Sequence, residues 1–190
     1  PPCTDAIIKS TMSEVIYAVT DIDKRVRNKS FKILKSKKII VKKGLLKNKI
    51  ERFYLPYFFN RKKKLPFVTG KIAISKNNII YSKNQKKITN SYSDQFTHML
   101  RYQNDSLMIT HKTLNKDNPK LNCRLKGFEK FSPKRIILDN KLNSKINSYI
   151  IKSSNNKNTL IFYNKADKTK ISKFKRKSII LVKSKVDRNN

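Results

Sequence analysis

The sequence predicts an α+β fold: a basic N-terminal extension with helical character, followed by two small strand-rich modules. Three observations predict it. Apolar residues recur at three- and four-residue spacing up to about residue 64, whereas from Leu65 onward they fall in short runs of strand length. Those runs form two sets, divided by the polar, turn-rich stretch 113–120, Thr-Leu-Asn-Lys-Asp-Asn-Pro-Lys. Charge is also uneven, because residues 1–23 hold four acids and one base while everything after them is strongly cationic. The expected organisation is an acidic amphipathic segment (1–23), a basic extension (24–64), a first sheet module (65–112), a link (113–120), a second sheet module (121–182) and a basic tail (183–190).

Ile8, Met12, Val15, Ile16, Val19 and Ile22 give one apolar face to a helix starting near Thr4 or Asp5. That face packs on the chain's own core or docks a neighbouring protein; its acidity is wrong for RNA. Leu45, Leu46, Ile50, Phe53, Tyr54, Tyr57 and Phe58 again follow helical spacing, and Pro56 ends or kinks that helix. With Phe59 these rings belong to a core, the plainer reading, or stack on exposed bases. In the first module, Lys71–Ile74 and Asn78–Tyr81 flank a tight turn at Lys76-Asn77, and Thr97–Tyr102 pairs with Ser106–Thr110. Leu121–Leu125, Arg135–Leu138, Ile146–Ile151 and Thr159–Tyr163 build the second. Asp167 is a candidate N-cap for a short helix with Ile171 and Phe174 on one face. Ile179–Val182 adds an edge strand or packs beneath a neighbour.

Composition narrows the function. The chain has 190 residues and a formal charge of +34, with 37% hydrophobic residues against roughly 45–50% in ordinary globular domains. A chain so cationic calls for a polyanion. Abundant Lys, Asn and Ile reflect AT-rich coding, but the scarcity of acids does not follow from that drift and is read as functional. Cys3 and Cys123 make neither a disulfide framework nor a zinc site of the usual four-ligand kind. No apolar run of about 18 residues exists, so no transmembrane helix is expected. Gly44, Gly70 and Gly127 are the only glycines, which excludes glycine-rich phosphate loops. His98, inside an expected strand, reads as structural, and the acids after residue 23 show no paired-carboxylate constellation. The chain opens on Pro1 rather than Met, the mark of processing or of a start further upstream.

Residues 65–180 resemble the family of large-subunit ribosomal protein six, particularly its mitochondrial members. The stretch Asn158 to Ile179 is similar to the family's strand, Asp-Lys pair and helix, with Asp167-Lys168, Ile171 and Phe174 on the motif's Asp-Lys, Val and Phe positions. Leu125-Lys126-Gly127-Phe128 and Leu142 to Ile146 resemble two further family segments. Gly70 to Lys83 and Gln95 to Ile109 look like its opening strands. Ser172 departs from the family's Gly, and Lys175 and Arg176 replace two alanines. The resemblance implies two tandem, similar modules, each an antiparallel sheet with helical cover, seated on large-subunit RNA near the translation-factor-binding side.

On these grounds the expected function is a structural, RNA-binding component of the large ribosomal subunit and not an enzyme. DNA binding or compaction is the alternative. The expected RNA contacts are Lys37, Lys38, Lys42, Lys43, Arg61, Lys62, Lys63 and Lys64 on the extension, and Lys168, Lys170, Lys173, Lys175, Arg176 and Lys177 on the second module. The expected partners are ribosomal RNA and, through residues 4–23, neighbouring ribosomal proteins. No membrane, small-molecule substrate, catalytic residue, metal or cofactor is expected. The expected address is a mitochondrial ribosome, with a cytosolic ribosome as the other choice.

Overall fold

The computed structural model describes residues 2–80, 88–155 and 158–185, and the chain divides into two compact units, Pro1–Ile72 and Ala73–Asn190. In the first unit α1 (Pro2–Lys9) precedes a β-α-β element of β1 (Glu14–Tyr17), α2 (Lys29–Ser36) and β2 (Ile40–Lys43). The two strands run parallel with Glu14 opposite Ile40, and Lys42 Nζ lies 2.7 Å from Glu14 Oε1. Leu34 on α2 is buried, and Thr4 Oγ1 on α1 donates to Ser30 Oγ on α2 at 2.9 Å. The acidic helix expected across residues 4–22 therefore stops at Lys9. Thr11 enters the left-handed region (φ 56°) and the β-branched pair Val15-Ile16 continues as strand, leaving Met12 and Ile16 exposed rather than aligned on one helix face. α3 (Lys47–Phe53) and α4 (Leu55–Lys63) meet at Tyr54, with Pro56 in the first turn of α4, as its missing N–H and fixed φ demand.

The second unit contains α5 (Ser91–Gln103), β3 (Ser106–Thr110), α6 (His111–Asp117), a single 3-10 turn (Glu129–Phe131), β4 (Lys134–Leu138), α7 (Tyr149–Lys152), β5 (Thr159–Tyr163), α8 (Lys168–Lys175) and β6 (Ile180–Lys183). The strands form one sheet in the order β3-β4-β5-β6, all parallel, with Ile109, Ile137, Ile161 and Leu181 in register. Parallel neighbours need crossovers of a dozen or more residues. The long intervals after Thr110, Leu138 and Tyr163 supply them, each carrying a helix. Leu114 of α6, Ile150 and Ile151 of α7 and Phe174 of α8 pack with Ile137 and Ile161, so all three crossover helices cover the same face. Crossovers of one hand in a sheet whose order never reverses have this outcome. On the other face Met108 is 58% exposed and Leu138 42%.

The mixture of helix and strand matches the expected class, but the arrangement does not: the sheet is parallel, not a pair of tandem antiparallel modules. Residues 113–120, read as a link, contribute most of α6 and lie within one crossover of the sheet. Thr97–Tyr102, read as a strand, belongs to α5, whose start is fixed by Asn90 accepting the Ser93 N–H. Ile146–Ile151 yields α7, and Leu121–Leu125 is irregular, with Leu121 at φ 53°. Residues 71–74 and 78–80 form no strand, although Ser75 and Asn78 do make a turn; Tyr81 lies outside the described residues. Strands at 106–110, 134–138, 159–163 and 180–183 stand where their apolar runs put them, and Asp167 caps α8 by accepting the Lys170 N–H at 2.7 Å.

Ile137 sits at the centre of the covered face with no exposure. Ile137→Ala is expected to lower unfolding stability by about 2–5 kcal/mol, whereas Met108→Ala on the open face should cost under about 1 kcal/mol. Urea melts of the two variants check this contrast, and similar losses would mean that the open face is packed in solution.

Candidate active site

The strand order β3-β4-β5-β6 has no reversal to open a crevice, so the polar groups at the carboxyl ends of the strands define the edge. Here that edge is organised by Asp139, which follows β4 and is 1% exposed. One carboxylate oxygen accepts the Asn143 N–H at 2.8 Å; the other accepts both the Ser144 N–H and the Ser144 hydroxyl at 2.7 Å. A buried charge is tolerable because it is satisfied in this way. The result is a fixed loop over residues 140–145. His111, the first residue of α6 after β3, places Nδ1 3.8 Å from Asp139 Oδ1. Asn115 clamps the same loop by accepting from Lys145 N and donating to Asn143 O, and Lys170 Nζ reaches Lys141 O and Asn143 Oδ1. The edge thus presents imidazole, amide and ammonium groups on a rigid base.

A second cluster joins α5 to the irregular segment that leads towards β4. His98 Nδ1 accepts the Arg124 N–H at 3.1 Å, a role open only to the neutral ring. Burial lowers the His98 pKa, and the charges of Arg101 and Arg124 lower it further, with Asp94 opposing them. Arg101 donates to Asn122 O at 3.0 Å, and Arg124 donates to Asn122 Oδ1 at 3.0 Å. Burial, then the Arg124 charge, depresses the Arg101 pKa. Among the described residues neither guanidinium pairs with a carboxylate. The two cations are held together on neutral hydrogen-bond acceptors, with the Asp94 carboxylate acting on Arg101 through space. Gly127, at φ 83°, permits the turn beyond them, where Phe128 meets Tyr102 edge-on at 4.8 Å.

Arg135, 7% exposed at the start of β4, contrasts with this pair. Its guanidinium is filled by Ser153 Oγ (2.7 Å), Ser153 O (3.1 Å) and Asn158 Oδ1 (2.7 Å), and burial lowers its pKa. It staples α7 and β5 to β4 and leaves no face for a ligand.

The fourteen cations singled out in the sequence are dispersed. Lys37 caps α2, and Lys38 follows it at φ 59°. Lys42 and Lys43 lie on β2, where Lys42 is neutralised by Glu14. Arg61 is ion-paired with Asp23, while Lys62, Lys63 and Lys64 end α4 exposed. Lys168, Lys170, Lys173 and Lys175 lie on α8, with Arg176 and Lys177 just beyond; only Lys170 reaches the sheet edge. Asp139, His111, Ser144, Arg101 and Arg124 were not singled out. A signal for Asp139 existed in the apolar run Ile136-Ile137-Leu138, broken by an acid where a buried strand ends.

A small parallel sheet with one-sided helical crossovers, polar groups along its carboxyl edge and a separate arginine pair defines an open-sheet α/β domain. The comparisons specify it further. Residues 66–190 match the family described as the RibD C-terminal domain, and the chain belongs to that family. It is 33% identical over 144 residues to the riboflavin biosynthesis protein RibD of Bacillus amyloliquefaciens, covering 75% of this chain and 38% of that protein. To the Aquifex aeolicus protein of the same name it is 28% identical over 181 residues, covering 94% and 50%. Among solved structures it is similar to Acinetobacter baumannii RibD (TM-score 0.76, 21% identity, 98% of this chain and 52% of that one). It is also similar to a Thermotoga maritima protein titled a diaminohydroxyphosphoribosylaminopyrimidine deaminase/5-amino-6-(5-phosphoribosylamino)uracil reductase (TM-score 0.73, 24% identity, 97% and 57%). The chain spans about half the length of these relatives.

Family membership corrects the ribosomal reading. The chain is not a large-subunit ribosomal protein six, and the RNA-scaffold role in a mitochondrial or cytosolic ribosome falls with that resemblance, as does DNA compaction. Ribosomal RNA and neighbouring ribosomal proteins at residues 4–23 fall as partners for the same reason. The expectations of no enzymatic role and no small-molecule substrate are overturned too, since the relatives are named for riboflavin biosynthesis and, in one case, as a deaminase and reductase. The physical source of the error is plain. Asp167 capping a helix after β5 is what any strand followed by an Asp-capped helix looks like, so the stretch 158–179 carried less family information than its order suggested.

The lowered His98 pKa has a definite sign. The unfolded ring binds protons near pH 6.5 and the folded ring only below that. Its stabilising contribution is therefore complete above about pH 6.5 and lost as pH falls through the folded value. The urea midpoint is expected to drop as pH falls below about 6.5, and His98→Gln, which keeps an acceptor without the titration, should shrink that drop. An identical pH profile for the two proteins would remove His98 from the account.

Proposed function

We propose that this chain contributes the reductase activity of a RibD-type protein, acting on a phosphoribosylamino-pyrimidine such as 5-amino-6-(5-phosphoribosylamino)uracil. Membership of the RibD C-terminal family and the reductase activity named for the Thermotoga relative support the reaction class. The observation that carries the substrate reading is the Arg101–Arg124 pair, two guanidiniums that hydrogen-bond to neutral acceptors on Asn122 and keep donors for a phosphate ester.

Reduction needs a hydride donor as well. A dinucleotide carrier is commonly cradled by a glycine-rich turn between strand and helix. This chain has none: Gly44, Gly70 and Gly127 stand outside every strand-to-helix turn of the sheet, and nothing lies within 4 Å of a Cβ built on any of them. The residues do not fit that mode of binding, and the contribution derived for them is on the substrate side: Arg101 and Arg124 bind the phosphate.

Two measurements test the reading. Calorimetric titration with ribose 5-phosphate is expected to show saturable binding, weakened about tenfold or more by Arg101→Gln or Arg124→Gln and unaffected by Lys175→Gln, an exposed cation on α8. Turnover of 5-amino-6-(5-phosphoribosylamino)uracil with a reduced nicotinamide dinucleotide should show the same arginine variants raising KM more than they lower kcat. Equal weakening by Lys175→Gln would mean that the affinity is only diffuse attraction to a +34 chain. Absence of turnover would overturn the reductase assignment.

A further inference from the structure

Arg101 belongs to α5 and Arg124 to an irregular segment, so the two residues need a tie between those elements. One atom touches both. His98 Nδ1 lies 3.1 Å from the Arg124 backbone nitrogen and 3.4 Å from Arg101 Nη1. Both neighbours can only donate, so Nδ1 carries the lone pair and the ring proton sits on Nε2. Among the described residues the Arg124 N–H has no other acceptor. The adjoining residue is fixed separately: the Cys123 thiol donates to His98 O at 3.6 Å, and the Cys123 N–H donates to Ser132 Oγ at 3.0 Å. Between Leu121 at φ 53° and Gly127 at φ 83° no helix or strand sets the course of the chain, and the bond from Arg124 to the imidazole does so instead.

Protonating the ring reverses this chemistry. Nδ1 would become a donor facing two donors, and the charged ring would stand among Arg101 and Asp94 on α5 and Arg124 on the segment, two like charges against one opposite. Burial, then Arg101 and Arg124, lower the His98 pKa, with Asp94 and the Asn122 carbonyl opposing them. The surroundings therefore select the neutral ring, which is the form that can hold Arg124.

We propose that His98 is the positioning residue of the phosphate site, its Nδ1 lone pair tying the Arg124 backbone to the Arg101 side chain, and that a proton on this nitrogen unties the pair and weakens phosphate binding. The inference rests on the reading of Arg101 and Arg124 as the phosphate contacts.

Calorimetric titration of the full chain with ribose 5-phosphate tests this through two substitutions. At pH 8, His98→Leu is expected to bind about tenfold more weakly than the unsubstituted chain. His98→Asn, whose Oδ1 leaves Cγ as Nδ1 does, should restore most of that affinity. In turnover His98→Leu should raise KM and leave kcat nearly unchanged. On acidification from pH 8 to pH 5 the affinity of the unsubstituted chain relative to His98→Asn is expected to fall about threefold or more; the second ionisation of the phosphate, near pH 6, is common to both proteins and cancels in the ratio. Full affinity in His98→Leu, no recovery in His98→Asn, or a ratio that stays level or rises with acid would each overturn the positioning role. If ribose 5-phosphate binds but Arg101→Gln and Arg124→Gln leave its affinity unchanged, the phosphate reading itself fails and takes this inference with it. Should His98→Leu fail to fold, as judged by circular dichroism, the pH dependence of the ratio decides.

Discussion

Parallel pairing of β3, β4, β5 and β6 is the constraint on which the second unit depends. Each strand must return the chain to its starting edge before the next can begin, so every connection contains a helix, and the core is where those helices land on Ile137 and Ile161. The same constraint sorts the ends. Thr110, Leu138 and Tyr163 all finish at one edge, and the groups that follow them gather there without any local sequence motif. Asp139, His111 and Lys170 are far apart in the chain, and strand direction alone brings them together.

The two arginine arrangements divide the roles of a cation in this unit. Arg135 is consumed by the fold, with every short contact made to a neutral acceptor around the start of β4. Arg101 and Arg124 rest on a single asparagine, Asn122, and retain donors. Five N–H groups on a rigid fork allow a guanidinium to serve packing and recognition at once, which a lysine ammonium does less well. Formal charge, by contrast, says little about where function lies. Among the described residues, most of the exposed lysines on α4 and α8 make no contact that positions anything.

Legibility in the sequence followed the range of the interaction concerned. Asp167 as a cap, the interruption at Pro56 and the apolar runs that became β3, β4, β5 and β6 are local, and they were readable. Strand direction is not local: nothing within Ser106–Thr110 distinguishes a parallel neighbour from a hairpin partner. Thr97–Tyr102 misled because it is a short run of strand length ahead of a turn-like Gln103-Asn104-Asp105, and the decisive signal, Asn90 as a cap, lay seven residues upstream. That single misassignment hid the arginine pair, since Arg101 meets Arg124 only when residue 98 and residue 101 share a helix face. The basic composition then drew the functional reading towards nucleic acid.

Met108 and Leu138 leave the sheet with a bare apolar side, and β3 and β6 leave it with two unpaired borders among the described residues. Such surfaces invite strand-to-strand association between molecules. What holds copies apart in dilute buffer is mutual repulsion between their lysines, a force that dissolved electrolyte weakens within about 10 Å at 0.1 M. The surplus of positive charge thus opposes that association, and dissolved salt weakens the opposition.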